Sequence, residues 1–301
     1  MKPVNQIRVN TQNIRELINA MKDTGFNGKK LAKACQIFEE MINHKSCTKL
    51  FGLAGAMVPA GMRSIIRDWL EKGYIDVLVT TGANMTHDVA EALGHRHLQG
   101  ASQVDDKELN EKKLDRIYDV FMKNEVYEDM EDFVQKLEIP EKISVKELLW
   151  KIGEQLNDPN SILTTAAKKK IPILCPGFVD CGLAVQIALN HQKVTLDYFK
   201  DLRELINIAW DAKPAGFIVI GGGVPKNHIM QALQFTPNKA SYAIQITTDI
   251  PSPGGLSGAE LREGISWGKV NPEAKFISVL CDATIALPLI ASYLSLNNKQ
   301  T

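Results

Sequence analysis

Glu263-Gly-Ile-Ser-Trp267-Gly-Lys269 sets a primary amine two residues after a tryptophan, directly downstream of the Pro/Gly/Ser-rich run Pro251-Ser-Pro-Gly-Gly-Leu-Ser257-Gly258. A lysine attacks carbon only as the neutral amine, and an apolar neighbour such as Trp267 lowers its pKa by disfavouring the ammonium. The nearby Glu263 supplies a carboxylate able to hold a cationic amine. Residue types and spacing therefore suit imine formation. A single lysine is more often a solvated surface charge, so the case depends on what the rest of the chain places around it.

Other segments could bind a ligand. Gly221-Gly222-Gly223 follows a β-branched run and precedes Pro225, a residue suited to the first turn of a helix. Glycines there let the backbone approach an anion while helix N–H groups face it. Thr80-Thr81 and Thr247-Thr248 each close a candidate strand, and Asp180 and Asp282 follow two others. Such side chains either cap the next helix or bond a ligand hydroxyl. His228 lies one turn beyond the triple glycine, placed for ligand contact or proton transfer or for a plain helix surface. His87, His95 and His97 cluster with Asp88, but their spacing matches no standard zinc pattern, and no metal is expected.

The elements that must position these residues read as α/β. Lys49-Leu-Phe-Gly-Leu-Ala54, Ile75-Asp-Val-Leu-Val-Thr-Thr81, Ile171-Pro-Ile-Leu-Cys175, Gly216-Phe-Ile-Val-Ile220, Tyr242-Ala-Ile-Gln-Ile-Thr247 and Phe276-Ile-Ser-Val-Leu-Cys281 are six candidate strands. Helical periodicity surrounds them: residues 11–24 and 29–44, with Leu31, Cys35, Phe38 and Met41 on one face, and residues 196–211. The alternation predicts a doubly wound, mostly parallel Rossmann-like sheet with helices on both faces. Residues 104–157, highly charged and with an N-cap signal at Ser144-Val-Lys-Glu147, are expected as an inserted helical region. One domain over 1–301 is the economical assignment. Ligands of such sheets bind beyond the carboxyl ends of the strands.

Composition limits the partners. Among 301 residues Lys+Arg and Asp+Glu are both 35, so no net field recruits nucleic acid or an anionic membrane. No apolar run is long enough to span a bilayer, and Met1-Lys-Pro-Val-Asn-Gln-Ile-Arg lacks the apolar core of a signal peptide, so a cytoplasmic location is expected. Five scattered cysteines read as reduced core residues.

At Gly221-Gly-Gly-Val-Pro-Lys-Asn-His228 together with Ser266-Trp-Gly-Lys269 the chain resembles the deoxyhypusine synthase family. Asp76-Val-Leu-Val-Thr-Thr81, Asp180 after its Pro-Gly turn, Asp201-Leu-Arg203 and Asp282-Ala extend the likeness over most of the length. The resemblance implies a cycle in which NAD takes a hydride from spermidine and the resulting imine loses diaminopropane. The active-site lysine captures the aminobutyl group as a new imine, which passes to a lysine of a translation-factor precursor and is reduced by the stored hydride. It implies Lys269 as nucleophile, His228 at the catalytic centre, and Trp267, Glu263 and Asn227 as substrate-binding residues. NAD contacts fall on Thr81, Asp180, Gly222, Thr248, Ser257 and Asp282, and the assembly is a homotetramer with active sites shared between subunits.

This chain departs from the family pattern at several of those places. Asn227 replaces a histidine, Val185 an aspartate that grips the polyamine, His87 a cofactor-binding glutamate, and Pro253 and Leu256 two acidic loop residues. Each buried ammonium without a partner costs several kcal/mol, as an order of magnitude. Retained amine chemistry on a different donor or acceptor amine is the resulting expectation. The alternatives are the family's activity on spermidine and its protein target, or a non-catalytic NAD- or amine-binding homologue.

Overall fold

The computed structural model describes residues 3–7 and 13–295. Its contacts divide the chain into two compact, interleaved units where one domain over 1–301 is expected. Unit 1 comprises Met1–Ala54, Tyr74–Val79 and Leu202–Thr301, and unit 2 comprises Gly55–Gly73 and Thr80–Asp201.

Unit 1 is built on strands β1 (Thr48–Leu53), β2 (Val77–Thr80, its last residue in unit 2), β3 (Ala215–Ile220), β4 (Ala240–Thr247) and β5 (Val270–Leu280). They lie in the order β5-β4-β3-β1-β2, and β1 with β3, β3 with β4 and β4 with β5 are parallel pairs. Every residue of β3 is buried, the burial expected of a parallel strand covered on both faces. Gly216 lets the Met41 side chain of helix Phe26–Asn43 lie against the sheet, because a Cβ there would fall 2.4 Å from its sulfur. A Cβ on Gly52 would instead meet its registered neighbour Val219 and Ile229 of helix Gly223–Gln234. Positions 216 and 219 point to opposite faces. Helices therefore cover both faces, as the α/β reading requires. The helix expected over 11–24 spans Ile14–Met21, and positions 11 and 12 lie outside the described residues.

The register aligns the strand ends. Leu53 pairs with Ile220 and Ile220 with Ile246, while Thr247 pairs with Leu280. Gly221-Gly222-Gly223, Thr248 and Asp282 consequently leave the sheet at one edge.

Unit 2 is organised around Asp88, a fully buried carboxylate on helix Gly82–Ala92. It accepts bonds from Arg63 Nε at 2.6 Å, Ser161 Oγ at 2.7 Å and the backbone amides of Ile162 at 3.1 Å and Leu163 at 2.9 Å. The two amides are orphan donors at the start of helix Ile162–Lys169, where a negative charge is favoured. Arg63 also reaches Asp158 at 3.0 Å. One carboxylate thus joins three segments distant in sequence.

The region expected as inserted helices is only partly helical. Helices Asp106–Glu111, Val126–Gln135 and Val145–Leu156 are present, the last with the full capping box between Ser144 and Glu147. Between them, Leu114–Ile117 and Val120–Lys123 form an antiparallel hairpin, extended by Leu98–Gln99. Tyr118 turns that hairpin at φ 58°. The strands are short and share their apolar residues with Asp115, Arg116 and Lys123, which hides a period of two inside a charged stretch. Among the described residues no helix is long and apolar enough to cross a membrane.

Removing the Asp88 carboxylate leaves Arg63 Nε, Ser161 Oγ and the amides of Ile162 and Leu163 buried without their shared acceptor. Asp88→Ala is expected to destabilise unit 2 by about 3–5 kcal/mol. Amide hydrogen exchange at Ile162 and Leu163, compared with β3, measures this locally, and unchanged protection at both amides would refute it.

Candidate functional site

The carboxyl edge of unit 1 gathers four of the expected cofactor residues. Gly222 precedes helix Gly223–Gln234, whose N-terminus has no side-chain cap. Gly221 and Gly223 have φ of 72° and 56°, a region that favours glycine. Ser257 comes so close that a Cβ on Gly222 would lie 2.4 Å from its Cα. Gly222 and Ser257 are thus one constructed contact. Thr248 is exposed at the end of β4. Asp282 is exposed, and its Oδ1 accepts from the Thr284 amide at 2.7 Å as well as from the Thr284 hydroxyl, which together hold its carboxyl below the usual range. It serves the start of helix Ala283–Ser295.

Behind this edge lies a polar device that the sequence did not announce. Lys226 is 1% exposed, and its Nζ donates to Gln245 Oε1 at 2.9 Å, Leu256 O at 3.2 Å and Ala259 O at 2.5 Å. Gln245, equally buried in β4, donates through Nε2 to Gly221 O at 2.9 Å and Ser257 O at 2.7 Å. Burial pushes the Lys226 amine down to about 8, with Glu263 opposing. It remains an ammonium at neutral pH. Beforehand Lys226 was visible only as part of the Gly221–His228 segment, and its partners are remote in sequence.

His228 and Asn227, two successive residues of the same helix, border a cavity of about 370 Å³ together with Leu202, Ile206, Val224, Phe235 and Leu256. Burial lowers the His228 pKa, keeping its imidazole neutral and able to accept a proton. Leu256 gives this cavity an apolar wall.

Lys269 sits at the opposite edge. Its carbonyl accepts from Ala240 N at 3.1 Å, where β4 starts, and β5 begins at the next residue. Its Nζ lies 5.2 Å from the Trp267 ring centroid, and burial lowers its pKa. Gly268, at φ 65°, makes the turn that folds the lysine back over the indole. Trp267 is nonetheless 61% exposed. Glu263 accepts from its own loop, Glu260 N, at 3.2 Å. Tryptophan and lysine therefore meet as expected. No hydrogen bond joins them to His228 among the described residues. The eight residues of β4 separate this amine from the carboxyl edge, on the order of 25 Å at about 3.3 Å per residue.

Unit 2 carries Thr81 and Asp180. Thr81 Oγ1 accepts from Asn84 Nδ2 at 3.2 Å. Fully buried Asn84 also bonds Gly55 O at 2.9 Å and Met57 N at 3.1 Å, fixing the turn after residue 54. Asp180 is exposed and does not cap the following helix; Cys181 does, its sulfur 3.4 Å from Ala184 N. Val185, 52% exposed on helix Gly182–Asn190, lines an apolar groove of about 440 Å³ with Phe178, Ile187, Leu196 and Tyr198.

The histidine cluster forms a hydrogen-bonded chain. His97 Nδ1 lies 2.8 Å from Glu91 Oε1, and His97 Nε2 lies 2.9 Å from His87 Nδ1. Burial opposes the Glu91 charge, but His97 and Arg63 hold its pKa below the usual value. Glu91 Oε1 and His87 Nδ1 thus bracket the His97 ring. Burial, and then the neighbouring His97, push the His87 pKa down to about 4. Among the described residues no group of three or more His, Cys, Asp or Glu is arranged to hold a metal.

Comparison with known proteins fits this geometry. The family model for deoxyhypusine synthase matches residues 16–294. A Methanosarcina acetivorans protein named probable deoxyhypusine synthase 1 is 46% identical over 289 residues, covering 94% of this chain and 91% of that protein. A Chlorobaculum tepidum protein named deoxyhypusine synthase-like protein is 35% identical over 312 residues, covering 97% and 89%. Among solved structures, an Entamoeba histolytica chain carrying the deoxyhypusine synthase name superposes with a TM-score of 0.64 at 24% identity, over 93% of this chain and 92% of that one. At that identity it supports the fold alone.

The depressed His87 pKa has a pH signature. Below about 6.5 the unfolded chain takes up a proton that folded His87 refuses until about pH 4. Its contribution is complete above pH 6.5 and is lost as pH falls through that window. Between pH 7 and 5 the wild-type protein should lose about 2 kcal/mol from this group, and His87→Gln, which keeps a donor for His97, should lose less. Urea denaturation at both pH values checks this; equal losses in the two proteins would contradict it.

Proposed function

Because the chain belongs to the deoxyhypusine synthase family, we propose that it is an NAD-dependent aminoalkyl transferase acting through an imine on Lys269, with a donor or acceptor amine other than spermidine and the translation-factor lysine. The observation that carries the reading is the amine of Lys269 held over Trp267 with its pKa lowered by burial. Such an amine more readily gives up its proton to become a nucleophile. Attack on the imine carbon of the oxidised donor forms the Lys269 C–N bond, and collapse expels the leaving amine with the proton it needs. Neutral His228 is suited to accept or return that proton, and Glu263 to bind an ammonium.

The carboxyl edge fits a dinucleotide. The uncapped N–H groups at the start of helix Gly223–Gln234 would hold a pyrophosphate, Thr248 and Ser257 offer hydroxyls, and Asp282 offers an oxygen for ribose. When bound, NAD supplies the hydride acceptor that converts an amine to an imine.

The altered amine is supported by two of the departures. Val185 and Leu256 line separate apolar cavities, in unit 2 and unit 1 respectively, and neither lining contains a carboxylate for a buried ammonium. A less charged donor, or one held at a single end by Glu263, suits them better. The names of the relatives favour the second reading, the family reaction on spermidine. Incubation with NAD and a panel of amines, then borohydride and mass spectrometry, separates the two. We expect a Lys269 adduct with a monoamine or agmatine-type donor at least tenfold faster than with spermidine. Preferential trapping of spermidine establishes the second reading, and no adduct with any amine removes both.

The separation of Lys269 from the carboxyl edge supports a homotetramer in which one copy brings its lysine to the cofactor edge of another. Lys269→Ala and Thr248→Asp chains, each inactive alone, should regain activity when dissociated and reassembled together. Failure at every mixing ratio would count against shared sites.

A further inference from the structure

The connection from Thr248 to Arg262 leaves the carboxyl edge and returns to the opposite edge at helix Glu263–Ser266. It touches both parts of the candidate site: Ser257 lies against Gly222, and Leu256 walls the His228 cavity. Two of its turns close on themselves, Gly254 N to Pro251 O at 3.0 Å and Gly258 N to Gly255 O at 3.1 Å. A third closure is steric, since a Cβ on Gly258 would lie 2.0 Å from Ile250 O. What ties the loop to the sheet is the Lys226–Gln245 pair. Four peptide carbonyls, of Gly221, Leu256, Ser257 and Ala259, receive bonds from these two side chains.

The chemistry of that pair is unusual for a core. Its cation is buried on neutral oxygens, with no carboxylate in hydrogen-bond contact. A methionine of similar length would fill the same volume without desolvating a charge, and burying an ion costs several kcal/mol, as an order of magnitude. Packing alone gives no reason for a lysine here. Its three N–H groups and the Gln245 amide instead satisfy irregular backbone that no strand or helix partner reaches, and they fix the loop at both ends of its contact with the glycine turn.

We propose that Lys226 and Gln245 are positioning residues: a polar latch that holds the 251–259 loop over the glycine turn, so that the dinucleotide meets a preformed site. This deepens the reading of the carboxyl edge as the NAD site and rests on it. Neither residue touches the reacting atoms. Losing the latch should weaken NAD binding through the cost of ordering the loop and leave the Lys269 amine as reactive as before.

The test compares wild-type protein with Lys226→Met and Gln245→Leu. Amide hydrogen exchange in 251–259 is expected to rise at least tenfold in both variants, with β3 and β4 unchanged. The NAD dissociation constant should rise at least tenfold, while at saturating NAD and amine the Lys269 adduct forms at the wild-type rate. Wild-type loop protection in both variants, NAD affinity unchanged despite a loosened loop, or exchange rising equally across the sheet overturns the latch. Global unfolding of both variants does so as well, by making the pair a core element. If wild-type protein binds no NAD, the cofactor reading fails, and the latch as a device for NAD binding fails with it, whereas a loosened loop with retained wild-type NAD binding sinks the latch alone.

Discussion

Parallel pairing gives unit 1 a direction, and the rest of its chemistry is arranged by that direction. When β1, β3, β4 and β5 run the same way in register, all their carboxyl ends fall at one edge. The glycine turn, Thr248 and Asp282 then converge there, and the loop after β4 brings Ser257 against Gly222. The same rule sends the residue before β5 to the far edge, which is where Lys269 lies. Lys269 and the glycine turn are therefore set apart by the backbone itself, and the loop of 248–262 is the connection that has to run between them.

Two buried cations illustrate how differently a fold can hold charge. Arg63 is surrounded by carboxylates: Asp88 at 2.6 Å, Asp158 at 3.0 Å and Glu91 at 3.6 Å. Its forked guanidinium suits several acidic partners, and the cluster ties together segments of unit 2. Lys226 has only amide oxygens, and its pKa falls to about 8. A point charge with three rotatable donors can satisfy two carbonyls of an irregular loop and a side-chain amide oxygen at once, a task for which the planar guanidinium has the wrong shape. The first cation belongs to the stability of its unit, the second to the conformation of one loop.

Much of this was legible in the residues and part was not, for physical reasons. Strands such as Gly216-Phe-Ile-Val-Ile220 declare themselves because burial on both faces demands a continuous apolar run. The Ser144–Glu147 cap is legible because its partners are three residues apart. Asp180 and Asp282 look alike in sequence, yet Asp282 serves its helix start and Asp180 leaves that place to Cys181. The Lys226 latch was hidden because lysine is ordinarily exposed and its acceptors are brought near only by the fold. The 114–123 hairpin was hidden because charge blurs its alternation. Lys269 and Trp267 were recognisable as a pair, whereas their edge of the sheet could be known only from the register of β4 and β5.

The interleaving of the two units has a consequence in time. As the chain emerges from the ribosome, β1 appears early, but its registered partner β3 follows only after all of 80–201 has been made. Unit 2 has its whole long segment available first and can fold while β1 waits. During that interval Leu50, Phe51 and Leu53, all fully buried in the finished protein, have no β3 to cover one side of their strand. The wait leaves β1 short of a neighbour, and it ties completion of the sheet to the synthesis of residues 215–280.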